Sequence, residues 1–215
     1  MRFIAFEKVI PQINKLSLPG LETQLKMAPS FRENLLERFK EAQKSAKLAA
    51  VLALFYPSGT GETNLVLILR KVYKGIHSAQ VGFPGGKPEI DDASLLDTAL
   101  RETWEEIGVS SDKITVLREL SSLYIPPSNF LVSPFLGIAE RPLTFTLQTS
   151  EVDAILEVPL TEFLNNKSEI FSEVLVAEGS TYDVPAFKLN GRIVWGATAM
   201  MLIEIKTMIN QVLKK

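Results

Sequence analysis

The chain has 215 residues, 46% hydrophobic and 22% charged, a composition that suits a globular protein with one main domain and one sizeable core. With no cysteine and a single histidine, it excludes a disulfide framework, a thiolate metal site and a cysteine nucleophile; any metal must be a hard cation held mainly by Asp and Glu oxygens. A formal net charge of −2 offers no basic footprint for nucleic acid, and no run approaches the roughly 20 apolar residues of a membrane span.

Residues 1–6 are followed at once by Glu7 and Lys8, so the start lacks the apolar region of a secretory signal, and a cytoplasmic location is the default expectation. Residues 1–48 alternate charged and apolar positions at helical spacing. Pro11 and Leu18-Pro19-Gly20 mark breaks, and 31–47 reads as one amphipathic helix. The expectation is an N-terminal helical extension over 1–48, followed by the main domain over 49–215.

From Ala49 the period changes. Residues 49–56 and 64–71 are apolar, branched runs separated by Pro57-Ser58-Gly59-Thr60-Gly61, a strand, turn and strand. A third short extended run covers 80–83. Gly85-Gly86 permits a tight path before Asp91, Asp92 and Ser94, any of which can cap a helix over 93–107 that ends at Gly108. Strands are expected over 113–125, 131–139 and 152–158, with clean alternation over 143–147, a short helix over 160–164, strands over 174–177 and 186–189, and a closing helix over 197–213. Strands interleaved with helices predict an α/β fold, a mixed sheet with helices on its faces.

The chemistry concentrates in Arg101-Glu102-Thr103-Trp104-Glu105-Glu106-Ile107-Gly108-Val109. On a helix, Glu102, Glu105 and Glu106 stand at i, i+3 and i+4, so three carboxylates gather on one face, and each like-charge pair costs roughly 0.2–0.5 kcal/mol in isolation. Arg101 can reach Glu105, and Asp97 can reach Arg101, but one guanidinium does not neutralise three carboxylates. A Glu-rich turn alone is usually a solvated helix face. Beside a glycine pair, a capped helix start and a terminal glycine, it suits Mg²⁺, which bridges carboxylates to substrate phosphates.

Gly86 to Val109 resembles the Nudix box, whose pattern is Gly, five residues, Glu, seven residues, then Arg-Glu-apolar-x-Glu-Glu-x-Gly-apolar. Residues 101–109 match except at Thr103. Upstream, Gly86 stands one residue farther from Arg101 than the pattern has it, and Ala93 holds the place of the first Glu, with Asp91 or Asp92 as substitutes. The stretch 66–86 is similar to the branch of that family that hydrolyses coenzyme A. Arg70 and Phe83-Pro84-Gly85-Gly86 match that branch, whereas Ile68, Lys71, Gly75 and Ala79 stand where it has Thr, Ser, Arg and Gly. Leu18-Pro19-Gly20, Gln24 to Pro29, Tyr124 to Ser128, Glu157 to Leu160 and Val194 to Ala199 also resemble members of this branch.

The resemblance implies a Nudix α/β/α sandwich and a metal-dependent enzyme that cuts the diphosphate of a nucleoside diphosphate derivative, coenzyme A first. ADP-ribose, nucleoside triphosphates and dinucleoside polyphosphates are alternatives, and a non-catalytic nucleotide sensor is the alternative of another class. It implies that Glu102, Glu105, Glu106 and the Gly86 carbonyl hold Mg²⁺ or Mn²⁺, and that Arg101 orients the carboxylates. Glu105 is then the first candidate for general base and Glu151 an acid supplied by a later loop. Arg70, His77, Phe83 and Gly85 are the candidate substrate contacts. Trp104 reads as a packing or interface residue, and Trp195 as a core residue first and a base-stacking residue second. The expected partner is a small nucleotide, with neither nucleic acid nor membrane, and self-association as a homodimer is allowed.

Overall fold

The computed structural model describes residues 1–29, 40, 43–71, 80–175 and 181–214. Three short helices come first: α1 (Phe3–Glu7), α2 (Ile10–Lys15) and α3 (Gly20–Gln24). Strands β1 (Lys47–Pro57), β2 (Thr63–Arg70), β3 (Val81–Gly82) and β4 (Gly85–Gly86) lead to helix α4 (Leu95–Ile107). Next come β5 (Thr115–Glu119), β6 (Leu123–Ile125), β7 (Phe130–Ile138), β8 (Val152–Pro159) and helix α5 (Leu160–Leu164). The chain continues through β9 (Glu169–Leu175), β10 (Thr181–Leu189) and β11 (Arg192–Trp195) to helix α6 (Gly196–Leu213).

The first eight strands form one mixed sheet, and β9 to β11 a separate antiparallel one. At the centre β1 runs parallel to β7 from Lys47↔Phe130 to Phe55↔Ile138, while β2 pairs antiparallel with β1 at one edge and along its length with β8 at the other. A parallel pair needs a long crossover, which here carries the glycine turn and α4.

Strand alternation sends side chains to two cores. On β1, Ala49, Ala53 and Phe55 face one side, and Ala50, Leu52, Leu54 and Tyr56 the other. On β2, Leu65, Leu67 and Leu69 join the first side, and Val66 and Ile68 the second. The near-continuous burial of both strands follows from cover on both faces. α4 covers the second face through Ala99 and Ile107, whereas α6 and the N-terminal helices cover the first. This is an α/β/α sandwich, as the sequence led one to expect.

The N-terminal helices belong to the same core. Phe3, Phe6, Ile10, Ile13 and Met27 are buried there, with the Phe6 ring 5.1 Å from that of Phe55 on β1. The helix expected over 31–47 lies largely outside the described residues, and its end is corrected: Gln43–Ser45 is a single 3₁₀ turn and Lys47 already pairs in β1. α3 is clasped to α6 by the buried Glu204, whose Oε1 accepts from the Gly20 amide at 3.1 Å and whose Oε2 accepts from Gln24 Nε2 at 3.0 Å.

Other expectations change, and the strand expected over 186–189 already starts at Thr181. The strand over 113–125 divides into β5 and β6, because the pairing with β7 slips between Val116 and Arg118 and the chain leaves the ladder at the buried Leu120, whose amide reaches the Pro134 carbonyl. Residues 143–147 form no strand; Leu143, Phe145 and Leu147 pack on the α4-side core while their neighbours face water, so the alternation reports a one-sided coil. The strand placed at 174–177 begins at Glu169, and its last two positions lie outside the described residues. Among the described residues no helix is long and apolar enough to cross a membrane.

If the extension is part of this core, Phe6→Ala should cost about 3–5 kcal/mol, the range for removing a buried aromatic side chain. Urea unfolding followed by tryptophan fluorescence would measure it; a loss below about 1 kcal/mol would mean that residues 1–29 fold apart from the sheet.

Candidate active site

α4 starts at Ser94, whose hydroxyl accepts from the Asp97 amide, so of the three expected caps it is Ser94 that acts. The helix ends at Gly108, whose φ of 73° closes the last turn and whose amide bonds the Trp104 carbonyl. The following coil ties back to this end, with Thr146 N–H donating to Ile107 O and Gln148 N–H to Glu106 O. Those two bonds satisfy helix carbonyls and draw the loop that carries Glu151 toward α4.

The three box carboxylates sit at graded depth. Glu106 is 1% exposed, Glu102 14% and Glu105 47%. Glu106 Oε1 accepts from Arg70 Nη1 at 3.0 Å, and its Oε2 accepts from the Gly85 amide at 2.8 Å. Burial pushes the Glu106 carboxyl up to about 7; Arg70 and the Gly85 N–H oppose that rise, while the charges of Glu102 and Glu151 add to it. Glu102 is also held above the usual carboxylate range, first by burial, with Arg101 opposing and Glu105 adding. Its carboxylate lies directly on the Gly86 backbone, where a Cβ would overlap it.

Arg101 is the hub of the exposed half of the site. It grips Asp92 in a fork, Nε to Oδ1 and Nη2 to Oδ2 at 3.0 Å each, donates to the Lys87 carbonyl at 2.9 Å and to Glu105 Oε2 at 3.0 Å, and stands 3.4 Å from Glu102 Oε1. Asp92 also accepts from Thr98 Oγ1 and from the Glu89 amide, and the Arg101 fork holds its carboxyl well below the usual range. Asp92 is thus a strut for Arg101. Sequence reading had offered it only as a cap or a substitute acid; its distance of nine residues from Arg101 hides a contact made by the turn into α4.

Thr103, the one mismatch in the box, is fully buried and satisfies its hydroxyl on the Ala99 carbonyl at 2.6 Å, which lets a polar side chain stand at an apolar position.

The structure redistributes several expected contacts. Phe83 is 2% exposed and packs in the α6-side core. Arg70 points at Glu106 and at the Gly85 carbonyl. Gly85 contributes its amide to Glu106 and, at φ 149°, presses on β1 so closely that a Cβ would stand 2.6 Å from Val51 Cα. Glu151 is exposed on the loop before β8, and its backbone carbonyl receives the Lys71 amide. His77, with Gly75 and Ala79, lies outside the described residues. Trp104 is exposed on α4, not packed, and Trp195 is half-buried in β11 against Ala186 of β10.

The donor set suits a divalent cation. Glu102, Glu105, Glu106 and the nearby charge of Glu151 are hard oxygen donors, and the cations bonded to them are Arg70 and an Arg101 already shared with Asp92. Among the described residues no three acidic or histidine side chains converge as a ready-made cage: Glu106 turns to Arg70, Glu105 to Arg101 and Glu102 to Gly86. Carboxylates held above their ordinary pKa by burial and by each other gain from a cation placed among them.

Comparison with known proteins agrees with this architecture. The NUDIX domain family matches residues 46–177. A Yersinia enterocolitica protein called uncharacterized Nudix hydrolase NudL is 32% identical over 149 residues, 69% of this chain and 75% of that protein. The NudL of Yersinia pestis strain Pestoides F is 34% identical over 141 residues, 66% of this chain and 70% of that protein. In fold, the chain resembles the crystal structure of a MutT/nudix family protein from Enterococcus faecalis, with a TM-score of 0.50 at 17% identity over 87% of this chain and 76% of that one. With a family match over more than half its length, relatives at this identity and an Arg-Glu-x-x-Glu-Glu helix set against a glycine turn, the chain belongs to the Nudix hydrolase family.

Proposed function

We propose that this Nudix hydrolase is a Mg²⁺- or Mn²⁺-dependent diphosphatase whose substrate is a nucleoside diphosphate joined to a second group, coenzyme A or a derivative being the first choice. The observation that carries the reading is one helix that sets Glu106 and Glu102 against the Gly85-Gly86 turn and Glu105 beside Arg101, with more carboxylate than guanidinium charge around them. Support for coenzyme A comes from the resemblance of Arg70 and Phe83-Pro84-Gly85-Gly86, upstream of the box, to the branch that hydrolyses it.

Glu102, Glu105 and Glu106 would hold the cation, with the Gly86 carbonyl as a further oxygen. When bound, it neutralises diphosphate charge and acidifies a water for attack on phosphorus. The protein's own groups do the rest. Arg101, braced by Asp92 and the Lys87 carbonyl, keeps Glu105 at the exposed rim of the site, where that carboxylate can accept a proton from a water. Glu106 and Glu102, fixed between the helix and the turn, give the cation a rigid seat. Glu151 approaches from the loop before β8 as a second acid.

Incubating the pure protein with Mg²⁺ or Mn²⁺ and a panel of coenzyme A, ADP-ribose, nucleoside triphosphates and dinucleoside polyphosphates tests the assignment. The expected result is 3′,5′-ADP and 4′-phosphopantetheine from coenzyme A. Nucleotide binding without turnover of any panel member would turn the protein into a sensor, and preferred turnover of another compound would move the substrate.

Glu106→Gln should lower the rate at least about 100-fold, as expected for loss of a key electrostatic group. Unchanged activity would remove Glu106 from the mechanism.

Glu106 also makes a pH prediction for metal-free protein. Its carboxyl titrates at about 7 when folded, against 4.5 for its ordinary value, so between these limits the folded state binds more protons than the unfolded one. Its contribution to stability is therefore present in full below about pH 4.5 and is lost as pH rises to about 7. Urea unfolding over this window should show a falling contribution that Glu106→Gln lacks. Identical pH slopes in the two proteins would mean that Glu106 titrates alike in the folded and unfolded states.

A further inference from the structure

Arg70 ends β2 where its pairing with β8 slips: Leu69 lies opposite Ala154 and Arg70 opposite Val152, skipping Asp153. Irregularities of this kind re-aim side chains beside functional sites. By strand alternation, position 70 shares the face of Val66 and Ile68, the face that α4 covers. The Arg70 side chain is about three-quarters buried and both terminal nitrogens are engaged, Nη1 with Glu106 Oε1 at 3.0 Å and Nη2 with the Gly85 carbonyl at 2.6 Å.

The Gly85 amide in turn donates to Glu106 Oε2 at 2.8 Å, so Arg70, Glu106 and Gly85 form a closed ring of three hydrogen bonds linking β2, α4 and the glycine turn. The other side of Gly85 rests on Ala50 and Val51 of β1. Both the amide and the carbonyl of this residue are therefore fixed, and with them the direction of the next peptide, Gly86, on which the Glu102 carboxylate lies. The planar fork gives each acceptor its own nitrogen at a fixed spacing; a lysine ammonium keeps the charge but would have to serve both from one point.

We infer that Arg70 is a positioning residue that sets Glu106 and the Gly85-Gly86 turn from behind and does not bind a substrate phosphate. This rests on the reading of the glutamate face as the catalytic centre. It assigns a role to the fork of Arg70, where charge alone would leave it as one more phosphate contact.

The test uses Arg70→Lys and Arg70→Gln in the full chain, with two readouts. In metal-free protein, the Gly85 amide, followed by hydrogen exchange with NMR detection, should exchange at least about tenfold faster in both variants, because its acceptor is no longer held. With the best substrate of the panel, kcat should fall at least about tenfold while KM stays within about threefold, and lysine should not rescue the loss. A rise in KM of about tenfold or more with kcat unchanged, full recovery by lysine, or unaltered Gly85 exchange would each overturn the inference. If the wild-type protein turns over nothing on the panel, the exchange measurement alone decides the role of Arg70, and the failure then belongs to the substrate assignment. If Arg70→Gln does not fold, Arg70→Lys carries both measurements.

Discussion

A helix that docks on a sheet must bury one stripe, and on α4 that stripe runs through Ala99, Thr103, Glu106 and Ile107. Glu106 thus occupies a position that packing alone would fill with an apolar side chain. The helix cannot seat Ala99 and Ile107 without taking a carboxylate out of water, and an isolated buried charge is costly unless donors meet it. The Gly85 amide and the Arg70 guanidinium are those donors. The need for them ties together the close turn at Gly85, the inward Arg70 at the end of β2 and the depth at which the neighbouring Glu102 rests on Gly86. Depth then sorts the acids: the deepest, Glu106, is tied into the scaffold, and the shallowest, Glu105, is left open to solvent.

How much of this was readable beforehand depended on the range of the interaction. Strands β1, β2, β7 and β8 and helices α4 to α6 stood out because their periods are set by local burial. β4 did not, since two glycines carry no side-chain pattern and the strand exists only through its pairing with Ala50 and Val51. β11 was missed for a related reason: four residues that make sense only beside β10. The coil over 143–147 gave the opposite failure, because alternation records one wet and one dry side without saying whether a neighbouring strand supplies hydrogen bonds. In the site, the spacing of Glu102, Glu105 and Glu106 on a helix was legible, as was the reach from Arg101 to Glu105. The fork between Arg101 and Asp92, the inward turn of Arg70 and the burial of Phe83 were not, because each is fixed by how the turn between β3 and α4 folds over β1.

The two cores divide the labour of the molecule. The α4-side core is made by strands and one helix and sets the acids. The opposite core is filled by α6 together with α1, α2 and the turn at Met27, so the segment that reads as an appendage in sequence is structural filling for the sheet that carries the site. The buried Glu204 fastens that filling, receiving the Gly20 amide and Gln24 Nε2 from segments 184 and 180 residues away in the chain.

Such separation has a consequence for biosynthesis. The stretch around Gly20 is made long before the carboxylate that will receive it, and until α6 emerges α2 and α3 lack the helix they pack on. Closing so wide a loop adds little to the final free energy but delays the moment at which the contacts can form. The apolar faces of α2 and α3 therefore stay partly uncovered while the intervening strands are made, a stage at which exposed apolar surface favours association with other chains.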